Sequence, residues 1–259
     1  MQKSACPPHL TWFCTGALAL LPIHAAGIYT GPENVGISDF VTPSYTPTLS
    51  HLLSPAQTSA DKVKLLLVSH SPGHAPIPNV SLELRHIQAV IGTTTTNTIC
   101  IQLEDEDATY NNVLAKMASS HITHLACHGT VSRDPLDNAV VLHDGNLKVD
   151  TLMHTSLVDA RLIFLSACQT AQINPSEPDE FIHIAAAMLF AGFKGAIATM
   201  WAINDNDGPQ IAKSFYQGII KGGTVDFSHA AASLYRAVRE GRESGMSPLR
   251  WAPFIHVGL

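Results

Sequence analysis

Five short apolar runs set the fold of this chain. They fall at 63–69, 99–103, 122–127, 162–167 and 196–201, each nearly continuous in apolar character and bounded by polar residues or glycine. Runs of that length without polar alternation are the pattern of strands buried on both faces, as in a parallel sheet. Amphipathic stretches separate them and predict helices over 80–91, 108–119, 179–193, 209–221 and 226–243. In the first, Leu82, Leu84, His86, Ile87 and Val90 stand among polar neighbours. Asp179 and Glu180 suit the positive end of a helix dipole, and Asp207 is a plausible N-cap ahead of Pro209. The alternation predicts an α/β fold, a mostly parallel central sheet with helices on both faces. One departure is 139–149, where Asp144-Gly145 between two apolar stretches predicts a small β-hairpin insertion.

With 46% apolar and 14% charged residues among 259, the chain is globular. Its net charge of −6 and lack of any Lys/Arg cluster argue against a nucleic-acid partner. Five cysteines at 6, 14, 100, 127 and 168 do not form a disulfide pattern. They suit a reducing, cytoplasmic setting and leave room for a reactive thiol. The apolar run 10–28 behind Lys3 is broken by Pro22 and His24. It reads as a buried strand and turn in preference to a secretory signal or a membrane span. Residues 31–60, rich in Pro, Ser and Thr, read as a surface loop with a short helix near 50–53.

Ligands of a parallel α/β sheet bind outside the carboxyl ends of its strands. Two predicted strands end in useful side chains there: 122–127 runs into His128-Gly129, and 162–165 into Ser166-Ala167-Cys168-Gln169. If these strands are neighbours, His128 and Cys168 emerge at one edge. An imidazole can take the thiol proton and create the nucleophilic thiolate. The amides of Gly129 and Cys168 would form an oxyanion hole, an effect of about 3–4 kcal/mol per donor. Spacing alone leaves a buried packing cysteine as the common alternative.

The stretches HLACHG (124–129), DGNL (144–147), FLSACQTA (164–171), DEFIHIAAAMLFAGFKGAIATMWAINDNDGP (179–209) and WAPFIHVG (251–258), with WFCTGALALLPIHAAGIY (12–29) and SYTPTLSHLL (44–53), resemble the CHAT family of caspase-like domains. The likeness spans about residues 10–259, read as a single domain. It implies a caspase–haemoglobinase-like fold and cysteine endopeptidase action by a dyad at the positions of His128 and Cys168. It also implies a protein or peptide substrate and a place in a larger regulated protein carrying tetratricopeptide repeats or sensor modules. The Pro usual between the residues matching Cys14 and Thr15 is absent, and the family's N-terminal helix is expected to be missing. A catalytically silent scaffold domain is the competing expectation.

In such folds the loop after the next strand helps line the pocket for the substrate residue before the cut. Trp201, Asp205 and Asp207 occupy it, with Gln169 beside the nucleophile; the two acids would favour a basic side chain. For Asp207 the competing role is the helix cap. Cys127 is expected in the core, His183 is expected to be a core or boundary histidine, and Ser166 is expected to be structural or pocket-lining. His121, His124 and His128 lie in a strand-like segment without a zinc motif, so neither a metal nor another cofactor is expected.

Overall fold

The computed structural model describes residues 7–30, 35–53, 59–60, 62–71, 78–94, 97–130, 132, 134–166 and 180–258. Eight strands form the main sheet: β1 (His9–Trp12), β2 (Thr42–Tyr45), β3 (Val63–His70), β4 (Thr98–Glu104), β5 (Ile122–Cys127), β6 (Leu162–Leu165), β7 (Gly195–Thr199) and β8 (Phe254–Gly258). Their order is β1-β2-β8-β7-β6-β5-β3-β4. Every neighbouring pair is parallel except β7 with β8. All five apolar runs lie in strands of this sheet, but 99–103 is not buried on both faces as expected: it is the edge strand β4, and Ile99 is exposed.

From β3 the chain moves outward to β4, then crosses back to β5, β6 and β7 on the other side. The order therefore reverses between β3 and β5, and a crevice opens at such a switch point. Helices cover both faces. Val113 and Met117 of α2 (Tyr110–Met117), Leu152 of α3 (Val149–Met153) and Met188 of α4 (Glu180–Ala191) pack on Val68, Leu125, Leu165 and Ala196. On the opposite face α1 (Val80–Thr94), α5 (Gly208–Ile219) and α6 (Ala230–Glu243) pack on Leu65, Leu67, Ala126 and Phe164. A short α7 (Pro248–Trp251) leads into β8.

Four further expectations are corrected. Residues 42–45 are not loop but strand β2, with Thr42, Ser44 and Tyr45 buried; the short helix does occur, as a 3-10 turn at Leu49–Leu53. The front run contains strand β1, but it is not buried: Leu10, Phe13, Leu18 and Leu21 are exposed. On α1 the inward face is rotated, so Leu82 is exposed while Glu83 is buried with Val80, Leu84, Ile87 and Val90. The hairpin pairs Ala139–Leu142 with Gly145–Lys148, but its turn lies at His143-Asp144; Gly145 already pairs with Leu142. A third short strand, Gly129–Thr130, joins the hairpin antiparallel and so ties it to the end of β5.

Candidate functional site

β5 and β6 are hydrogen-bonded neighbours with Leu125 opposite Leu165, and the Ser166 amide donates to the Leu125 carbonyl at 2.9 Å. β5 and β6 therefore end side by side, at Cys127 and Leu165, next to the switch point. His128 follows β5 directly and is 9% exposed. Its carbonyl accepts the Val141 amide at 2.8 Å. That bond makes His128 and Val141 a hydrogen-bonded pair of the antiparallel ladder, so Gly129, opposite Val140, occupies a non-hydrogen-bonded position. The Gly129 N–H is thus turned away from the hairpin. Cys168 and Gln169 lie outside the described residues; Ser166 is the last one placed ahead of them.

The other thiols contrast with a nucleophile. Cys127 is 2% exposed in the core, as expected from strand alternation. Burial raises the Cys14 thiol and pushes Cys100 up to about 11. Each is therefore a poorer thiolate source than a free cysteine.

The loop after β7 is held from two sides. Trp201 Nε1 donates to the Leu249 carbonyl at 3.0 Å. Asp207, 2% exposed, receives both Nε and a terminal nitrogen of Arg250, the first at 3.0 Å. Asp207 occupies the N-cap position of α5, but its side chain caps nothing there; only its carbonyl accepts, from the Ile211 amide. Its charge is met by Arg250, so of the two acids of this loop Asp207 is the one paired within the fold by an arginine. Asp205 is half-buried and accepts the Asn79 amide at 3.0 Å at the start of α1. Removing Arg250 strands a buried carboxylate. Arg250→Ala should therefore lower the urea midpoint by more than the double variant Asp207→Asn/Arg250→Ala, measured by circular dichroism.

The same end of the sheet carries residues that sequence reasoning missed. His70 closes β3 opposite Cys127, with Nδ1 3.5 Å from Asp105 and its ring 5.7 Å from His143. Asp105 has φ 41°, an uncommon conformation for a non-glycine residue. Reading the first apolar run one residue past 63–69 would have found His70. The side chain of His183 lies outside the described residues, and among those described no cluster of three or more His, Cys, Asp or Glu could hold a metal ion.

The CHAT domain family profile matches residues 1–259. The chain belongs to the CHAT family. Solved structures similar to this CHAT domain include the Saccharomyces cerevisiae separase–securin complex, at TM-score 0.56 and 16% identity, covering 85% of this chain and 14% of that one. They also include the Arg-specific cysteine proteinase gingipain R, at TM-score 0.52 and 12% identity, covering 85% and 54%. A complex of the Porphyromonas gingivalis RgpB pro- and mature domains is similar at TM-score 0.53 and 12% identity, covering 85% and 55%. The fold is thus the caspase-like one, and this domain spans only 14% of the separase chain and about half of gingipain. No curated protein sequence matches it. Among the described residues no helix is long and apolar enough to cross a membrane.

Proposed function

We propose that this domain is a cysteine endopeptidase in which His128 activates Cys168. The observation that carries the reading is the adjacency of β5 and β6, because His128 directly follows β5 and Cys168 comes three residues after β6 in the sequence. The Cys168 thiolate attacks the scissile carbonyl, and the amides of Gly129 and Cys168 hold the resulting oxyanion. The protonated His128 then gives its proton to the leaving amine, and water cleaves the thioester to free the acid and the thiol. Asp205, with Trp201 and Gln169 as walls, favours Lys or Arg before the cut. The Arg specificity of gingipain agrees with that preference. The small share of the separase chain taken by this fold supports a role as the effector part of a larger protein, and five cysteines without a disulfide pattern fit the reducing cytoplasm as its setting.

The test is the pH dependence of Cys168 alkylation by iodoacetamide, located by peptide mass mapping. An apparent pKa well below about 8.5, lost in His128→Ala, is the expected result. Reactivity indifferent to His128 would favour the scaffold role instead.

A further inference from the structure

One carboxylate lies inside the fold beneath this edge. Glu83, on the inward face of α1, is 3% exposed. The Ser166 hydroxyl donates to its Oε1. His124 Nε2 lies 3.1 Å from the same oxygen, within ion-pair reach but poorly aligned for a hydrogen bond. The other ring nitrogen of His124 faces the Tyr216 hydroxyl at 3.3 Å, and the ring stacks on Phe164 with centroids 4.8 Å apart. Tyr216 comes from α5, so helices on one face and two adjacent strands meet at a single side chain.

The fold makes room for this carboxylate. A Cβ at Gly208 would sit 2.9 Å from Glu83 Oε2 and 3.3 Å from Ser166 Oγ, so the first residue of α5 must be small. A buried carboxylate is costly unless donors surround it, and an apolar side chain packs more cheaply. What the carboxylate adds is direction: hydrogen bonds fix strand ends along their length, where apolar contact lets them slide. Its partners stand at telling places. Ser166 is two residues before Cys168, and His124 is four before His128. Asn79, directly ahead of the same helix, also holds the loop bearing Asp205, through its amide at 3.0 Å and its side chain on Asn206 at 2.9 Å.

We propose that Glu83 is a positioning residue whose buried contacts with Ser166 and His124 lock the ends of β6 and β5 to α1 and so set the approach of Cys168 to His128. The assignment rests on the dyad reading above, and Glu83 itself touches no substrate.

The test compares the parent, Glu83→Gln, Ser166→Ala and His128→Ala as whole chains. Two readouts are followed: the iodoacetamide pH profile of Cys168, and hydrogen exchange of the Ser166 amide. Urea midpoints identify which variants remain folded; Ser166→Ala, which removes one hydroxyl, stands in if Glu83→Gln does not fold. The expected result is a profile displaced toward that of His128→Ala, with alkylation near pH 6 slowed about tenfold for each pKa unit, together with faster Ser166 exchange. A folded variant whose profile matches a His128-dependent parent overturns the positioning role and leaves the dyad standing. A parent without His128 dependence overturns the dyad, and then unchanged Ser166 exchange in the variants overturns the lock as well, while faster exchange supports it.

Discussion

Peptides with Lys or Arg before the scissile bond should be cut by the parent chain and left intact by Cys168→Ala. The other described thiols are poor substitutes, because Cys127 is enclosed and burial raises Cys14 and pushes Cys100 up to about 11. His128→Ala should retain the nucleophile atom but lose its proton acceptor and the donor to the leaving amine. General acid–base groups contribute about 10²–10⁴-fold, and a loss in that range is expected in kcat/KM. Asp205→Ala should act differently. It removes a charge-assisted contact, so the preference for basic over neutral residues should fall by roughly tenfold or more, while the pH profile of Cys168 alkylation stays as in the parent. A peptide-library profile measures both effects. Cleavage that survives Cys168→Ala would refute the peptidase assignment for this site.

The second large effect is on stability in acid. His24 is 4% exposed, with its Nε2–H donating to the Ala252 carbonyl at 2.9 Å. That fixes the tautomer, so Nδ1 must accept from the Tyr45 hydroxyl at 2.8 Å, which in turn accepts the His24 amide at 3.1 Å. His256, 1% exposed, shares Ser44 Oγ with His9, each at 2.7 Å. Desolvation lowers His24 to about 4 and His256 to about 3, from an ordinary 6.5. The unfolded chain therefore binds protons that the folded chain refuses. Stability from these two groups is complete above pH 6.5 and is lost as pH falls toward 4 and then 3. Each costs about 1.4 kcal/mol per pH unit across that window, so the pair removes roughly 5 kcal/mol between pH 6.5 and 4.5. That rivals the whole stability of an ordinary domain. Urea titrations at a series of pH values check it: the slope should be steep in the parent and about halved in His256→Gln. A flat profile between pH 7 and 5 would contradict the burial of these imidazoles.

The parallel core was legible because its strands carry their burial in their own composition. β2 was not. Thr42, Pro43 and Ser44 read as loop, yet Thr42 and Ser44 are buried because distant groups meet their hydroxyls: the Pro7 carbonyl for one, His9 and His256 for the other. Pro43 is tolerated because β2 bridges β8 only at Tyr45, so no ladder bond there needs its missing N–H. Glu83 was hidden for a related reason. A lone acid beside Leu82 and Leu84 looks solvent-facing until Ser166 and His124 are seen around it. The dyad was visible as two strand ends, but their adjacency came only from the sheet order. Asp207 read as a helix cap more than as a pocket acid, yet its side chain caps nothing; Arg250, 43 residues later, decides where its charge goes.

β8 also governs the order in which the molecule can be built. It lies between β2 and β7, so β1 and β2 enter the main sheet only through a strand some 200 residues further along the chain. During synthesis β3 to β7 can assemble as a nascent parallel layer while β1 and β2 wait without a docking edge. The segment that releases them, Pro248–Gly258, also brings Arg250 and Leu249 to the loop of Asp207 and Trp201. Translation must therefore reach Pro248–Gly258 before that loop can take up its two contacts.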